Sequence, residues 1–151
     1  MDSEVFNINN VYQDDKSTNI EEALEKIAEK AYETGHVSSA SEFYDALMER
    51  EEQVTTGFKD GIAIPHGSSE TVKKAGLFLI QYENPIPWES MDGKDVRVAF
   101  ALSIPTDGAD KHLKILSTLA RKVMNEEFRE IVLNERSKEK LVETINQQIE
   151  L

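Results

Sequence analysis

Apolar residues recur at helical spacing in the first third of the chain. Thr18–Glu21 has the pattern of a capping box, in which the Thr18 hydroxyl and the Glu21 carboxylate each bond to the other residue's backbone amide. The spacing behind it predicts an amphipathic helix that ends at Gly35, because glycine can adopt a left-handed cap. Ser39–Glu42 repeats the capping pattern. We therefore expect two helices here, the second fading near 50–52.

The middle of the chain has the pattern of strands and turns. A short strand over Ile62–Ile64 should stop at Pro65, because proline cannot donate to a sheet ladder. Residues 75–82 and Val96–Ile104 are apolar runs that predict two further strands. Helix starts recur in the last third, near Asp110, Asn125 and Ser137. Helices on both sides of a strand-rich middle predict a layered α/β fold.

Composition narrows the class of protein. A chain of 151 residues and 17.1 kDa fits one globular domain, which we expect to span residues 1–151. A net charge of -12 argues against a nucleic-acid partner, because phosphate backbones need clustered Lys and Arg. The chain has no cysteine, no apolar run long enough to span a membrane and no secretory signal pattern. We therefore expect a cytoplasmic protein.

The sharpest candidate for chemistry is His66 within Gly61–Gly67. An apolar strand delivers this histidine, Pro65 fixes the backbone before it, and Gly67 removes side-chain bulk after it. An imidazole presented at a sheet edge suits nucleophilic attack near neutral pH, since much of it is unprotonated. A histidine packed in a strand-end turn fits the same spacing, and the spacing alone favours that second interpretation.

Two further residues could act with His66. His112 lies at the start of an expected helix, where the helix dipole favours a neutral imidazole that could donate to a phosphoryl oxygen. Arg50, at the end of the second expected helix, could clamp a phosphate through its planar guanidinium. Each residue taken singly is more often structural, a helix-start histidine or a solvated helix-end charge.

The stretch Thr55–Gly67 closely resembles the phosphorylation-site signature of enzyme IIA domains of the fructose and mannitol type, in the bacterial sugar phosphotransferase system. His112–Arg121 resembles the second histidine region of that family, and Arg50–Glu51 matches the arginine that precedes its signature strand. The resemblance covers nearly the whole chain in the expected order.

This resemblance implies a mixed β-sheet sandwiched between helices, an α/β/α domain in which three residues meet in one shallow site. It implies that His66 accepts a phosphoryl group from the phosphocarrier protein HPr and passes it to an enzyme IIB domain. His112 would be its hydrogen-bonding neighbour and Arg50 the partner of the phosphate. The relay needs neither a metal nor a nucleotide cofactor, and the membrane component would be reached only indirectly.

Two other functions stay open at this stage. Some relatives of the same fold are regulatory, of the nitrogen type, and control a partner protein through their phosphorylation state. A metal-dependent hydrolase built on His66 and His112 would need a third ligand, for which only His36 is available among the histidines. His36 follows Gly35 in a helix-ending turn, and we interpret it as structural.

Overall fold

The structure, a computed structural model, describes residues 1–107 and 109–149, with residues 109–111 described by their backbone alone. A short 3-10 turn at Ile8–Asn10 precedes the first strand. The strands are β1 (Val11–Asp14), β2 (Ile62–Ala63), β3 (His66–Ser68), β4 (Gly76–Ile86) and β5 (Val96–Ile104). The helices are α1 (Ile20–Glu33), α2 (Ala40–Gln53), α3 (Ala109–Lys122), α4 (Glu126–Asn134) and α5 (Lys138–Gln148).

The strands form one five-stranded sheet of mixed direction. Its order is β1-β4-β5-β2, and β3 also pairs with β5, on the same side as β2. The pairing of β4 with β5 is antiparallel, whereas β1 runs parallel to β4, and β2 and β3 run parallel to β5. The mixed sheet that the resemblance implied is therefore confirmed.

Alternate residues of the central strands supply two separate cores. Phe78 and Ile80 of β4 pack in a cluster with α1 and α2, whereas Leu77 and Leu79 pack in a second cluster with α3, α4 and α5. Because successive side chains of a strand point to opposite faces, two helical layers cover the two faces of one sheet. The α/β/α sandwich is confirmed.

The helix ends show where the sequence patterns were right and where one was wrong. Gly35 has φ +79 and ends α1 as predicted, with the His36 amide bonded to the Ala31 carbonyl. The cap at the start of α1 differs from the prediction by one residue. Asn19 is the N-cap and accepts from the Glu22 amide, and the Glu22 carboxylate reaches back to Thr18. Asparagine is preferred over threonine as an N-cap residue, and Thr18 instead bonds to the Glu22 carboxylate through its amide and hydroxyl.

Within the described residues, no helix combines the length and the apolar character needed to cross a bilayer.

Candidate functional site

His66 lies on an edge strand that proline interrupts. Ile62 pairs with Val98 and His66 with Leu102, so β2 and β3 follow β5 in one continuous register. Pro65 has no N–H to donate, and the ladder is broken there. As predicted, the strand does not continue through Pro65. A second short strand, β3, begins directly after it, and His66 is its first residue.

The backbone around Ile64 sets the tautomer of the His66 ring. Nδ1 of His66 lies 2.9 Å from the carbonyl oxygen of Ile64. A carbonyl oxygen can only accept, so Nδ1 carries the proton and Nε2 of the neutral ring keeps its lone pair. Partial burial lowers the pKa of His66, and the nearby Arg50 charge lowers it further, against the opposing effects of the Ile64 hydrogen bond and of Glu51. At neutral pH, His66 therefore presents an unprotonated Nε2.

Gly67 allows α2 to lie directly on β3. A Cβ at Gly67 would lie 3.2 Å from the backbone nitrogen of Leu47 and equally close to a ring atom of Phe43. These distances are tighter than ordinary van der Waals contact, so a larger residue would push α2 away from β3. Arg50 lies one helical turn beyond Leu47, and the same packing therefore sets its position beside His66.

Arg50 stands in the last turn of α2 and bonds to the chain just beyond it. Its Nη1 donates to the Val54 carbonyl at 2.7 Å, a bond to the backbone that follows the helix. A guanidinium has five N–H donors in a planar fork, and this bond uses one of them. Within the described residues the other donors of Arg50 make no hydrogen bond, and they are available to an anion.

Arg50 and His66 line one cleft of about 300 Å³. Its walls come from the end of α2, from β3, from Ile104 at the end of β5 and from Leu113 of α3. It is open to solvent, which suits a group presented by another protein better than an enclosed metabolite. A larger cleft of about 560 Å³ lies near Asp60 and Arg129, but it contains no histidine and its charges are paired in part, with Arg129 Nε 3.4 Å from Asp60.

The structure places His112 elsewhere. Its side chain lines a separate cleft of about 440 Å³ between α3 and the N-terminal segment, with Lys74 and Val5 among its neighbours. The next residue, Leu113, is the one that reaches the His66 cleft. Two of the predicted site residues, Arg50 and His66, are thus brought together and His112 is not, so that its role as hydrogen-bonding neighbour stays a prediction.

His36 is a buried structural residue. It is 2% exposed, its Nδ1 lies 2.7 Å from the Thr34 hydroxyl, and its Nε2 lies 2.8 Å from the Glu4 carbonyl. Nε2 therefore donates and Nδ1 accepts, leaving neither nitrogen for a metal. Burial lowers the pKa of His36, which favours this neutral form. Over the part of the chain that the structure describes, no cluster of three His, Asp or Glu side chains could hold a metal ion.

Glu51 is the residue of this region that sequence reasoning overlooked. Its carboxylate accepts hydrogen bonds from Trp88 Nε1 at 2.6 Å and from the Thr56 amide at 2.9 Å. The sequence showed Glu51 beside Arg50, but Trp88 is 37 residues away along the chain. Such a contact depends on the tertiary fold, and no local pattern signals it.

An α/β/α sandwich that holds a neutral edge-strand histidine beside an arginine has the chemistry of a phosphohistidine carrier. Residues 4–148 match the sequence model of the family described as phosphoenolpyruvate-dependent sugar phosphotransferase system, EIIA 2. The fructose-specific EIIA component of the phosphotransferase system from Haloferax volcanii is 34% identical over 130 residues, which cover 86% of this chain and 84% of that relative. The chain belongs to the EIIA 2 family, and it is a phosphotransferase of the kind that carries a phosphohistidine.

Solved structures of other proteins superpose on this chain over nearly its whole length. The nitrogen regulatory protein IIA-Ntr from Neisseria meningitidis superposes with a TM-score of 0.87 at 27% identity, covering 95% of this chain and 97% of that one. A chain from the complex of mannitol enzyme IIA and phosphorylated enzyme IIB of Escherichia coli superposes with a TM-score of 0.80 at 20% identity, covering 94% of this chain and 97% of that one. The second likeness shows the fold alone.

Proposed function

We propose that His66 is the phosphorylated residue, that it accepts the phosphoryl group from phosphorylated HPr, and that it delivers the group to an enzyme IIB component during sugar uptake. The observation that carries this proposal is the hydrogen bond from His66 Nδ1 to the Ile64 carbonyl. It leaves Nε2 as the free nucleophile on a cleft that Arg50 shares. The proposed role of the protein is that of a relay.

The transfer balances without any further reactant. The Nε2 lone pair of His66 forms the new P–N bond as the bond to the donor nitrogen breaks, and the leaving electron pair returns to the donor ring. The proton on Nδ1 of His66 stays in place and remains bonded to the Ile64 carbonyl. The resulting positive ring and the Arg50 guanidinium compensate the charge on the phosphoryl oxygens. The step is a displacement between two aligned nitrogens.

The proposed partners are proteins. The fold is that of a chain solved in complex with phosphorylated enzyme IIB, and multiphosphoryl transfer proteins are among the relatives. A cleft that is open to solvent allows the imidazole of a partner to approach His66 directly. We propose that the relay works in the cytoplasm and meets the membrane component only through enzyme IIB.

A reconstituted relay tests the assignment. Phosphoenolpyruvate, enzyme I and HPr are supplied to the wild-type protein, to His66→Ala and to His112→Ala. We expect one acid-labile, base-stable phosphoryl group on the wild-type protein and none on His66→Ala. His112→Ala tests the auxiliary role separately, and we expect it to slow the transfer without abolishing it. Labelling of His66→Ala at the wild-type rate would show that another residue carries the group.

A regulatory function is the second candidate. It is favoured by the TM-score of 0.87 with the nitrogen regulatory protein of Neisseria meningitidis, which covers 95% of this chain. In that function, phosphorylation of the same histidine would control the binding of a partner protein. Mixing the phosphorylated protein with purified enzyme IIB domains of the fructose and mannitol types separates the two, because only a sugar carrier gives up its phosphoryl group there.

A further inference from the structure

The carboxylate of Glu51 joins three segments of the chain. Glu51 belongs to the last turns of α2, and it accepts hydrogen bonds from Trp88 Nε1 at 2.6 Å, from the Thr56 amide at 2.9 Å and from the Thr56 hydroxyl. These donors are neutral, and among the described residues no Lys or Arg forms an ion pair with Glu51. Hydrogen bonds to a charged acceptor are about twice as strong as neutral ones, so these contacts hold Thr56 and Trp88 firmly against the end of α2.

From Thr56 the connection continues to the histidine. The Thr56 carbonyl accepts from the Ile64 amide at 2.9 Å, and the Ile64 carbonyl accepts from Nδ1 of His66 at 2.9 Å. The neighbouring Thr55 hydroxyl lies 3.0 Å from Oε1 of Glu51 and 2.5 Å from the Glu89 carbonyl oxygen, and it can donate to either acceptor. The position of the Ile64 carbonyl, and with it the orientation of the His66 ring, therefore depends on how Glu51 holds Thr56.

In the other direction, Glu51 is connected to the arginine. Arg50 precedes Glu51 directly, and Arg50 Nη1 bonds to the Val54 carbonyl at 2.7 Å. The loop from Arg50 to Thr56 is thus closed by two side chains, one from Arg50 and one from Glu51. Glu51 is therefore connected to both groups of the proposed site. Hydrogen bonds through Thr56 and Ile64 connect it to His66, which would attack phosphorus, and the backbone connects it to Arg50, which would stabilise the phosphoryl oxygens.

We propose that Glu51 is a positioning residue for phosphoryl transfer, which fixes Arg50 and the Ile64 carbonyl relative to each other and thereby holds the His66 ring with Nε2 towards the cleft. This role rests on the proposed function of His66. It acts through the hydrogen bonds of Glu51, and Glu51 does not itself line the cleft.

Glu51→Gln is the variant that tests this role. Its amide keeps the size of the side chain, but it loses the negative charge, and an NH2 group that cannot accept replaces one carboxylate oxygen. If the NH2 takes the place of Oε2, the bond donated by the Thr56 hydroxyl is lost, and the bonds that remain are no longer to a charged acceptor. Glu52→Gln is the matched control, because Glu52 is the next residue, is exposed and loses the same charge. Both variants are compared with the wild-type protein for folding by backbone NMR spectra and thermal unfolding.

Three readouts are measured, and the ring tautomer is the one that a purely stabilising role of Glu51 would not change. In folded Glu51→Gln we expect the Nδ1–H tautomer of His66, followed by ¹⁵N NMR of the ring, to lose its dominance, and the pKa of His66 to fall, since Glu51 raises it. We expect the rate of phosphoryl acceptance to fall by about 10–100-fold, the scale of losses from small misplacements of reacting groups. Glu52→Gln should match the wild-type protein in all three.

A folded Glu51→Gln protein with the wild-type tautomer, pKa and rate would overturn the proposal. If Glu51→Gln does not fold, Trp88→Phe removes one of the donors and leaves the carboxylate in place. We then expect a partial loss of rate and of the Nδ1–H tautomer, and wild-type values in Trp88→Phe would contradict the role. If the wild-type protein accepts no phosphoryl group, the proposed function fails, while the tautomer measurement still tests whether Glu51 orients His66.

Discussion

The carbonyl oxygen of Ile64 lies 2.9 Å from Nδ1 of His66, on the other side of Pro65. The neighbouring carbonyls of Gly61 and Pro65 accept from amides of β5, whereas Ile62 and Ile64 bond away from β5, towards the segment that precedes them. The Ile64 carbonyl is therefore directed away from β5, where the ring of His66 meets it. The backbone of the interrupted strand selects the nitrogen that is free to react.

We predict that the phosphoryl group is attached to Nε2 of His66. Nδ1 is occupied as a donor to the Ile64 carbonyl, so its lone pair is not available for attack. Long-range ¹H–¹⁵N spectra of the phosphorylated protein, labelled with ¹⁵N at histidine, distinguish the two isomers. The unphosphorylated protein provides the reference spectrum, and a phosphoryl group found on Nδ1 would contradict the assigned tautomer.

The rate of phosphoryl acceptance should depend on pH through His66. Burial and the Arg50 charge lower the pKa of His66 below the ordinary value of about 6.5. A proton on Nε2 blocks attack, so we expect a rate that is level from pH 7 to 8 and falls only as the pH drops below 6.5, through the pKa of the folded protein.

Stopped-flow transfer from phosphorylated HPr at several pH values, with an NMR titration of His66, tests the pH dependence. The titration of HPr alone is the control, because the donor has its own histidine chemistry. The stability of the folded protein should change with pH in the same direction as the rate. The unfolded chain binds the proton more readily than the folded protein does, so the contribution of His66 to stability is complete above pH 6.5 and is lost as the pH falls. A His66 that titrates above 6.5 would contradict both expectations.

Arg50 should matter through its geometry as well as its charge. Arg50→Lys keeps the positive charge but loses the planar fork and the bond to the Val54 carbonyl. We expect phosphoryl acceptance to fall by about tenfold in Arg50→Lys and by about 10²–10³-fold in Arg50→Ala, the range seen when one donor to a reacting oxyanion is removed. Arg121→Lys, at an exposed position in the last turn of α3, is the matched control. Equal rates in the two lysine variants would show that the planar fork of Arg50 is not needed, and a wild-type rate in Arg50→Ala would show that Arg50 has no role in the transfer.

Local sequence patterns predicted the scaffold well because they report burial and helix ends. The strand Val96–Ile104 was predicted with its observed bounds, because an apolar run of strand length that follows the turn residues Pro87 and Gly93 favours a strand over a helix. The end of α1 at Gly35 was equally clear, since few residues other than glycine adopt φ +79. The caps and the edge strand were less certain, because neighbouring residues such as Thr18 and Asn19 compete for the same role.

Only part of the site could be predicted from the sequence. Residue chemistry made His66 and Arg50 candidates, the resemblance assigned their roles, and the structure places both on one cleft. The tautomer of His66 depends on the direction of one carbonyl group, and the junction at Glu51 depends on a tryptophan 37 residues away. Both are properties of tertiary structure, which periodicity and spacing do not report.

Close packing at Gly67 should be needed for both stability and transfer. In Gly67→Ala the new Cβ would lie 3.2 Å from the Leu47 nitrogen and 3.3 Å from the Ala46 Cβ. Because the Leu47 nitrogen belongs to the helix backbone, α2 itself has to move. We expect the free energy of unfolding to fall by about 1–3 kcal/mol, the usual cost of overpacking a core, as measured by urea unfolding. The shift of α2 should also displace Arg50 from His66 and slow phosphoryl acceptance.

A double-mutant cycle shows whether this loss comes from the contact with α2. Ala46→Gly removes one of the atoms that the new Cβ meets, at the helix-propensity cost of about 1 kcal/mol. If the contact causes the loss, Gly67→Ala combined with Ala46→Gly should be less destabilised than the sum of the two single variants. Strict additivity would mean that the Ala46 methyl group does not contribute to the loss, which would then come from the closer contacts with the Leu47 nitrogen and the Phe43 ring.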